Sequence, residues 1–195
     1  MRYGFLTDTY STERLKVLSV WSMFEDGDLG VRPHPTDPRG RSVREQMIHQ
    51  VISENAWFKN MLAIDVGSPL PTEENRRGFI ERYATDSSKR LDFLRATDDA
   101  WWEEETAFFN TRRSRAWILV RRIAHTSHHR GQQMAMLRML GRDVHSNYGP
   151  TADTGGLPVN QAQVIYAYED EIALLTGRPK APLPGLGKKP VTERP

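Results

Sequence analysis

The sequence predicts an all-α fold, a bundle of four or five helices. Apolar residues recur at helical spacing through several long segments, no segment shows a convincing strand pattern, and stretches rich in Gly and Pro separate the segments. A chain of 195 residues is long enough to bury a core as one domain. We expect this domain over residues 1–178, followed by a Pro-rich tail over 179–195.

The first two helices are predicted over residues 11–25 and 42–63. In the first, apolar side chains recur on one side from Val17 to Phe24. In the second, Ser42 is a typical N-cap residue. The Gly and Pro residues of segment 26–41 predict a long loop between these two helices.

The third helix is predicted over residues 72–97, where two acidic residues follow Thr72 and favour the first turn through the helix dipole. The fourth and longest is predicted over 111–140, with Gly141 as its C-cap. Between them, the aromatic and acidic stretch 101–109 is expected to be a connection packed on the bundle. Its aromatic residues belong to the core in one interpretation and to a pocket mouth or a dimer face in the other.

A second long loop is expected over 141–157, before an extra C-terminal helix over 158–177. Pro158 suits the first turn of a helix, and Gly177 suits its end. The two loop histidines, His34 and His145, are expected to face solvent. The inward residues of the last helix would be Val164, Ile165, Tyr168, Ile172 and Leu175.

The composition excludes several classes of function. The chain has no Cys, so it can form neither disulfides nor thiolate metal ligands. Its formal net charge of +2 does not indicate a nucleic-acid-binding protein. There is no apolar stretch of the ~20 residues needed to cross a membrane, and no N-terminal segment typical of a signal peptide. We therefore expect a cytoplasmic protein that binds neither nucleic acid nor membrane.

The most informative residues are histidines in the fourth helix. Since His125 and His129 are one turn apart, they project from the same face, which is also the face of the apolar Ile118 and Met136. Buried imidazoles need polar partners. A shared metal ion would satisfy both, and a carboxylate or a water bound to each ring is the alternative.

A third histidine, His49, lies in the second helix. It shares a strip of small and polar residues with Ser53, Ala56 and Asn60, which is either room for a bound ion and substrate or a solvent-facing strip. A bundle that brings His49 to the other two would create a three-histidine site, the ligand set of an open, catalytic type of zinc centre.

Two stretches of the chain resemble the DinB family of damage-inducible bacterial proteins. One is His125-x-x-x-His129-Arg-Gly-Gln, followed by Leu137-Arg-Met-Leu-Gly141 and Tyr148-Gly-Pro-Thr-Ala-Asp153. The other is Glu45-Gln-Met-Ile-His49-Gln-Val-Ile-Ser-Glu-Asn-Ala-Trp57, which is similar to the second helix of that family. The order of elements matches over roughly residues 10–176.

This resemblance implies an up-down-down-up four-helix bundle that holds one divalent metal ion. By position its ligands would be His49, His125 and His129, and the metal would be zinc or nickel. Some relatives are transferases or isomerases that use a low-molecular-weight thiol, and many are homodimers. Because this chain has no Cys, a thiol would enter as a cosubstrate.

Further candidate residues flank the histidines. Glu45 and His128 are candidates for a general base, against the alternatives that Glu45 orients an imidazole or is solvated and that His128 lies on the surface. Arg122 and Arg130 are candidates for contacting an anionic substrate, against the alternative of ordinary helix-surface arginines.

The sequence thus favours a metal-dependent enzyme, a thiol transferase or a hydrolase, that acts on a small electrophilic substrate. One alternative is a metal-binding stress-response or interaction protein without catalysis. Another is a helical interaction module without metal, which predicts that His49 is remote from the other two histidines.

Overall fold

The computed structural model describes residues 2–188 of the chain and is mostly helical. Four long helices form the bundle: α1 (Gly4–Met23), α2 (Val43–Leu62), α3 (Arg76–Arg95) and α5 (Arg115–Met139). The shorter elements are α4 (Asp99–Glu103), β1 (Glu105–Phe108), β2 (Thr111–Ser114), α6 (Glu171–Leu175) and the 3-10 turns Asp26–Asp28, Ala152–Thr154 and Pro158–Asn160.

The four long helices are arranged up-down-down-up. α1 packs against α3 and α5, and α2 packs against the same two helices, so α1 and α2 stand at opposite corners. α1 and α5 run parallel, since Ser127 Oγ donates to Glu13 at 3.0 Å near the middle of both helices. Towards the C-terminal ends of both, Trp21 Nε1 donates to Gln133 Oε1 at 3.1 Å. The expectation of an all-α up-down-down-up bundle is confirmed.

The core consists of two groups of apolar side chains. One surrounds the fully buried Trp21 and contains Met47, Phe79 and Tyr83. The other surrounds Trp102, at the end of the bundle near α4. Burying one side chain of this size stabilises the fold by about 1.5–3 kcal/mol. No helix in the described range 2–188 is long and apolar enough to cross a membrane.

Two of the predicted helix starts were wrong. α1 begins at Gly4, not at residue 11, because Leu6 and Tyr10 are buried and extend its apolar side. α3 begins at Arg76, not at residue 72. Its N-cap is Asn75, whose Oδ1 accepts a hydrogen bond from the backbone of Gly78 at 2.7 Å. A side-chain acceptor at this position satisfies a free N–H of the first turn, which Thr72 does not do.

The fourth long helix was also predicted to start too early, because the sequence analysis missed a β-hairpin. Residues 111–114 form β2, which pairs antiparallel with β1 so that Phe108 faces Thr111. The helix begins only at Arg115, after Ser114 caps it by accepting from the backbone of Trp117 at 3.3 Å. The expectation that stretch 101–109 packs on the bundle was right for Trp102, which is fully buried.

The predicted helix over 158–177 was wrong. It is divided between the 3-10 turn and the five-residue α6, which is the extra C-terminal helix. The first piece ends at Gln161, whose φ of 61° is left-handed, and α6 starts anew at its own N-cap, Asp170. Of the predicted inward residues, Val164 and Ile172 are exposed. In the predicted tail over 179–195, residues 189–195 lie outside the described part.

Candidate metal centre

The structure brings the three predicted histidines together. His49 on α2 faces His125 and His129 on α5, and one ring nitrogen from each lies within 4.8 Å of the others. Ring centroids are 4.6 Å apart for His49–His129 and for His125–His129, and 5.4 Å apart for His49–His125. This arrangement contradicts the third interpretation, in which His49 is remote. We refer to these residues as the histidine group.

His129 is buried, and its ring is held in one orientation. Its Nδ1 donates to Gln46 Oε1 at 2.8 Å, which leaves Nε2 as the nitrogen with a free lone pair. The Gln46 amide is oriented in turn, because its Nε2 donates to Gln132 Oε1 at 2.7 Å. The Nε2 atoms of His129 and His125 are 3.3 Å apart. The usable lone pair of His129 therefore points into the histidine group.

The environment keeps all three imidazoles neutral at neutral pH. Burial, aided by the repulsion that a protonated neighbouring histidine would exert, lowers the pKa of His129 from 6.5 to about 3. Burial and the positive charge of Arg122 lower the pKa of His125 to about 4. Burial and the charge of Arg41 also lower the pKa of His49. Neutral imidazole is the form that binds a metal ion.

The donor set fits a divalent cation. Three neutral nitrogen ligands suit zinc and other first-row divalent ions. A buried nitrogen, His125 Nδ1, has no hydrogen-bond partner among the described residues, so this ring is not satisfied by protein contacts alone. His49 and His125 are only half-buried, which leaves one side of the histidine group open to solvent.

Trp57 and Arg122 support the ring of His125. The Trp57 ring stacks on it with centroids 5.9 Å apart and planes inclined by 29°. Arg122 is one turn earlier on α5 and lies over the Trp57 ring, 5.8 Å from its centroid. Its Nη1 donates to Ser53 Oγ on α2 at 2.9 Å. These contacts fix α5 against α2 beside the histidine group.

Beneath the histidine group lies a buried carboxylate that the sequence analysis missed. Glu54 Oε1 accepts from Tyr10 at 2.7 Å and from Arg90 at 3.1 Å. Glu54 Oε2 accepts from Tyr83 at 3.2 Å and lies 3.5 Å from Arg122 Nη2. We call these five residues the Glu54 cluster. It contains residues from all four long helices, and all of its side chains are nearly or fully buried.

The two candidate bases have other contacts in this structure. Glu45 completes the N-cap of α2 by accepting from the backbone of Ser42 at 2.8 Å, and it pairs with Arg32 at 2.6 Å. The hydrogen bond from Arg32 lowers the pKa of Glu45. His128 is exposed and hydrogen-bonds Gln132 at 2.9 Å. A role as general base stays a prediction for both.

The two candidate arginines are buried and paired. Arg130 Nη1 lies 2.5 Å from Glu13, and Arg122 belongs to the Glu54 cluster. Their role in substrate binding stays a prediction. Among the loop histidines, His34 is exposed as expected, but the expectation for His145 was wrong. His145 is buried because the C-terminal segment covers it, and its Nε2 is 2.7 Å from the carbonyl oxygen of Ala181.

The residues that the sequence analysis missed at the site are Gln46, Trp57 and the members of the Glu54 cluster other than Arg122. Gln46 could have been found from its spacing, because it lies three residues before His49 and so shares the helix face of that histidine. Spacing also places Trp57 two turns after His49. No comparable signal identified Glu54, because a lone acidic residue in a helix is usually exposed.

Several solved structures share this fold. A DinB-like protein from Bacillus cereus matches with a TM-score of 0.58 and 17% identity, over 72% of this chain and 91% of that one. A DinB-like protein from Bacillus subtilis matches with a TM-score of 0.58 and 15% identity, over 71% and 94%. YfiT from Bacillus subtilis, described as "a probable metal-dependent hydrolase with an unusual four-helix bundle topology", matches with a TM-score of 0.56 and 16% identity, over 72% and 89%.

At these identities the structural matches show the fold alone. No curated protein matches the sequence. The sequence pattern of the DinB family, however, matches residues 19–156, which is most of the chain and includes all three histidines of the histidine group. The chain belongs to the DinB family.

Proposed function

We propose that this protein binds one divalent metal ion through His49, His125 and His129 and uses it to hydrolyse a small substrate. The observation that carries the proposal is the triangle of ring nitrogens within 4.8 Å of one another, with one side open to solvent. YfiT, which shares the fold, is described as a probable metal-dependent hydrolase, and this description supports the reaction class.

The residues of the chain have separable tasks in such a centre. Gln46 holds the tautomer of His129, and Trp57 holds the plane of the His125 ring. A bound divalent ion would supply a Lewis acid and lower the pKa of a water molecule towards 7. In hydrolysis, the hydroxyl of a water molecule joins the acyl carbon as the bond to the leaving atom breaks, and the leaving atom takes the proton. The open side, where His49 and His125 are half-buried, is where the substrate would enter.

We propose zinc as the first candidate metal and nickel as the second. Three imidazoles with an open position are a common catalytic zinc set, and imidazole also suits nickel. Transfer of a low-molecular-weight thiol is a second candidate reaction on the same site. Since the chain has no Cys to compete for the metal, an external thiol would supply the only thiolate ligand.

Elemental analysis of untagged protein, purified without a nickel column, tests the proposal. We expect about one divalent ion per chain, and its loss in His129→Ala and His125→Ala. His128→Ala is the matched control, because His128 lies in the same turn but is exposed. Stoichiometric metal in both ligand variants, or no uptake of zinc or nickel by the unaltered protein, would overturn the proposal.

If metal is bound, hydrolysis of ester and amide probes is compared with thiol conjugation under the same conditions. Turnover that needs water alone supports the hydrolase, and turnover that needs an added thiol supports the transferase. A metal-loaded protein that turns over neither kind of probe would favour the non-catalytic alternative.

A further inference from the structure

A partly exposed aromatic surface begins at the histidine group. The Trp57 ring, stacked on His125, meets Phe108 and Phe109 edge-on at centroid distances of 5.4 and 6.1 Å. Phe108 in turn meets Trp117 at 5.0 Å. We call Trp57, Phe108, Phe109 and Trp117 the aromatic surface. It is a continuous path of rings that leads from His125 onto the β-hairpin.

Two features of Phe109 in the hairpin turn are energetically unfavourable. Its side chain is 72% exposed, although burial would favour so large an apolar group. Its φ of 53° is left-handed, a conformation suited to Gly or Asn and unfavourable for a bulky residue. Strained backbone and exposed aromatic rings both concentrate at functional sites.

The hairpin is fixed relative to α2. Thr106 Oγ1 on β1 donates to the carbonyl oxygen of Met61, near the end of α2, at 2.6 Å. Trp57 is one turn earlier on the same helix. The aromatic surface is thus preformed beside the histidine group, and its rings need not move for a ligand to bind.

Two positive charges lie at the Trp117 end of the aromatic surface. Arg113 and Arg121 lie 5.4 and 5.9 Å from the Trp117 ring, and neither forms an ion pair with a residue of the described part of the chain. A row of rings with two unpaired guanidinium groups at one end favours a ligand that is both planar and anionic.

We propose that the aromatic surface recognises the substrate of the histidine group and that this substrate is a small anion with an aryl group. The inference rests on the proposed function for the reaction, but it concerns binding and can be tested by itself. The arene would lie against Phe109 and Trp57, and its negative charge would be attracted by Arg113 and Arg121. Its reactive group would then be next to His125.

Three probes separate the two parts of this recognition. 2-Naphthoate carries an arene and a charge, 2-naphthylmethanol carries the arene alone, and cyclohexanecarboxylate carries the charge alone. Binding to the full-length protein is measured by calorimetry and by the NMR shifts of the tryptophan indole groups, with and without zinc. We expect 2-naphthoate to bind more tightly than either other probe. Equal affinity for all three probes would overturn the inference.

Variants locate the binding. Phe109→Asn removes the ring at a position where Asn tolerates the left-handed backbone, and it should weaken 2-naphthoate about twofold to tenfold. Arg121→Gln should weaken 2-naphthoate but not 2-naphthylmethanol. Phe5→Ala is the matched control, because Phe5 is also an exposed phenylalanine, 61% accessible, but lies on α1. Unchanged affinity in Phe109→Asn would overturn the inference.

The same samples distinguish this inference from the proposed function. If zinc content is normal and 2-naphthoate does not bind, the aromatic surface has another role while the metal site stands. If zinc is absent and 2-naphthoate binds as predicted, the surface stands and the hydrolase proposal fails. Sedimentation at several concentrations tests whether a second copy of the chain covers the aromatic surface instead. A dimer that Phe109→Asn converts into monomers would make this surface a dimer interface and overturn the inference.

Discussion

Gln46 on α2 accepts the Nδ1 proton of His129 on α5 at 2.8 Å, and this single bond decides which nitrogen of His129 faces the histidine group. Gln46 is itself held by Gln132, one turn farther along α5. The orientation of the most buried imidazole is therefore set by the packing of two helices. No loop contributes to it.

We predict that Gln46→Leu lowers metal affinity by about 10- to 100-fold, the usual cost of removing a residue that orients a metal-bound histidine. The substitution keeps the size of the side chain but removes the acceptor for His129. Competition with a chromophoric chelator measures the affinity. Gln163→Leu, an exposed change in the C-terminal segment, serves as the control. Unchanged affinity in Gln46→Leu would show that the hydrogen bond does not prepare the site.

The metal-free protein should lose stability as the pH falls below 6.5. Burial lowers the folded-state pKa of His129 to about 3 and of His125 to about 4, whereas both titrate near 6.5 in the unfolded chain. Between these values the unfolded state binds more protons, so the free energy of unfolding decreases with falling pH. Urea titrations at pH 7.5, 6 and 5 measure the slope.

A matched variant isolates the histidine contribution to this pH dependence. His129→Gln removes one of the titrating groups, and it should show a shallower loss of stability between pH 6.5 and 5 than the unaltered metal-free protein. Parallel pH profiles for the two proteins would contradict the assignment of a lowered pKa to His129.

Glu54→Gln should lower the free energy of unfolding by about 3–5 kcal/mol, because it leaves Arg90 and Arg122 buried without their carboxylate. Urea denaturation measures the effect. Glu81→Gln is the control, since it breaks only an exposed ion pair with Arg77 and should cost about 0–1 kcal/mol. If the two variants are equally stable, the Glu54 cluster does not hold the helices together.

Glu45→Ala distinguishes a cap from a general base. As part of the N-cap of α2, Glu45 should contribute about 0.5–2 kcal/mol to stability, and its loss should leave metal content unchanged. Thermal unfolding and elemental analysis provide the two readouts. A variant as stable as the unaltered protein but inactive towards a hydrolysable probe would instead support the catalytic role.

The sequence was sufficient to predict the parts of the fold that follow from helical periodicity. Four long helices follow from apolar spacing, and the neighbourhood of His125 and His129 follows from their separation by one turn. The hairpin was missed because its strands have only four residues each and β2, Thr-Arg-Arg-Ser, has no apolar side. Thr106 holds these strands against α2 through its hydrogen bond to the carbonyl oxygen of Met61, which is a tertiary effect.

The buried charges could not be predicted for a different reason. Helix periodicity marks a polar residue as outward-facing, and the sequence offers no means of pairing Glu54 with two arginines from other helices. The prediction for the C-terminal segment was wrong in the opposite way, because a helical pattern did not produce a helix there. Its apolar residues have helical spacing, yet the 3-10 turn ends at Gln161 and α6 begins only after Asp170, so residues 162–170 have no regular secondary structure.

The Glu54 cluster also bears on how far such a chain can diverge. Since it joins one residue or more from each long helix near mid-height, the relative alignment of the helices is specified inside the bundle. The connecting segments are therefore not needed to align the helices. Mutation can lengthen, shorten or replace them while the histidine group keeps its geometry. A bundle of this kind can change its connecting segments, and with them the ligands that reach the site, without any change in the Glu54 cluster.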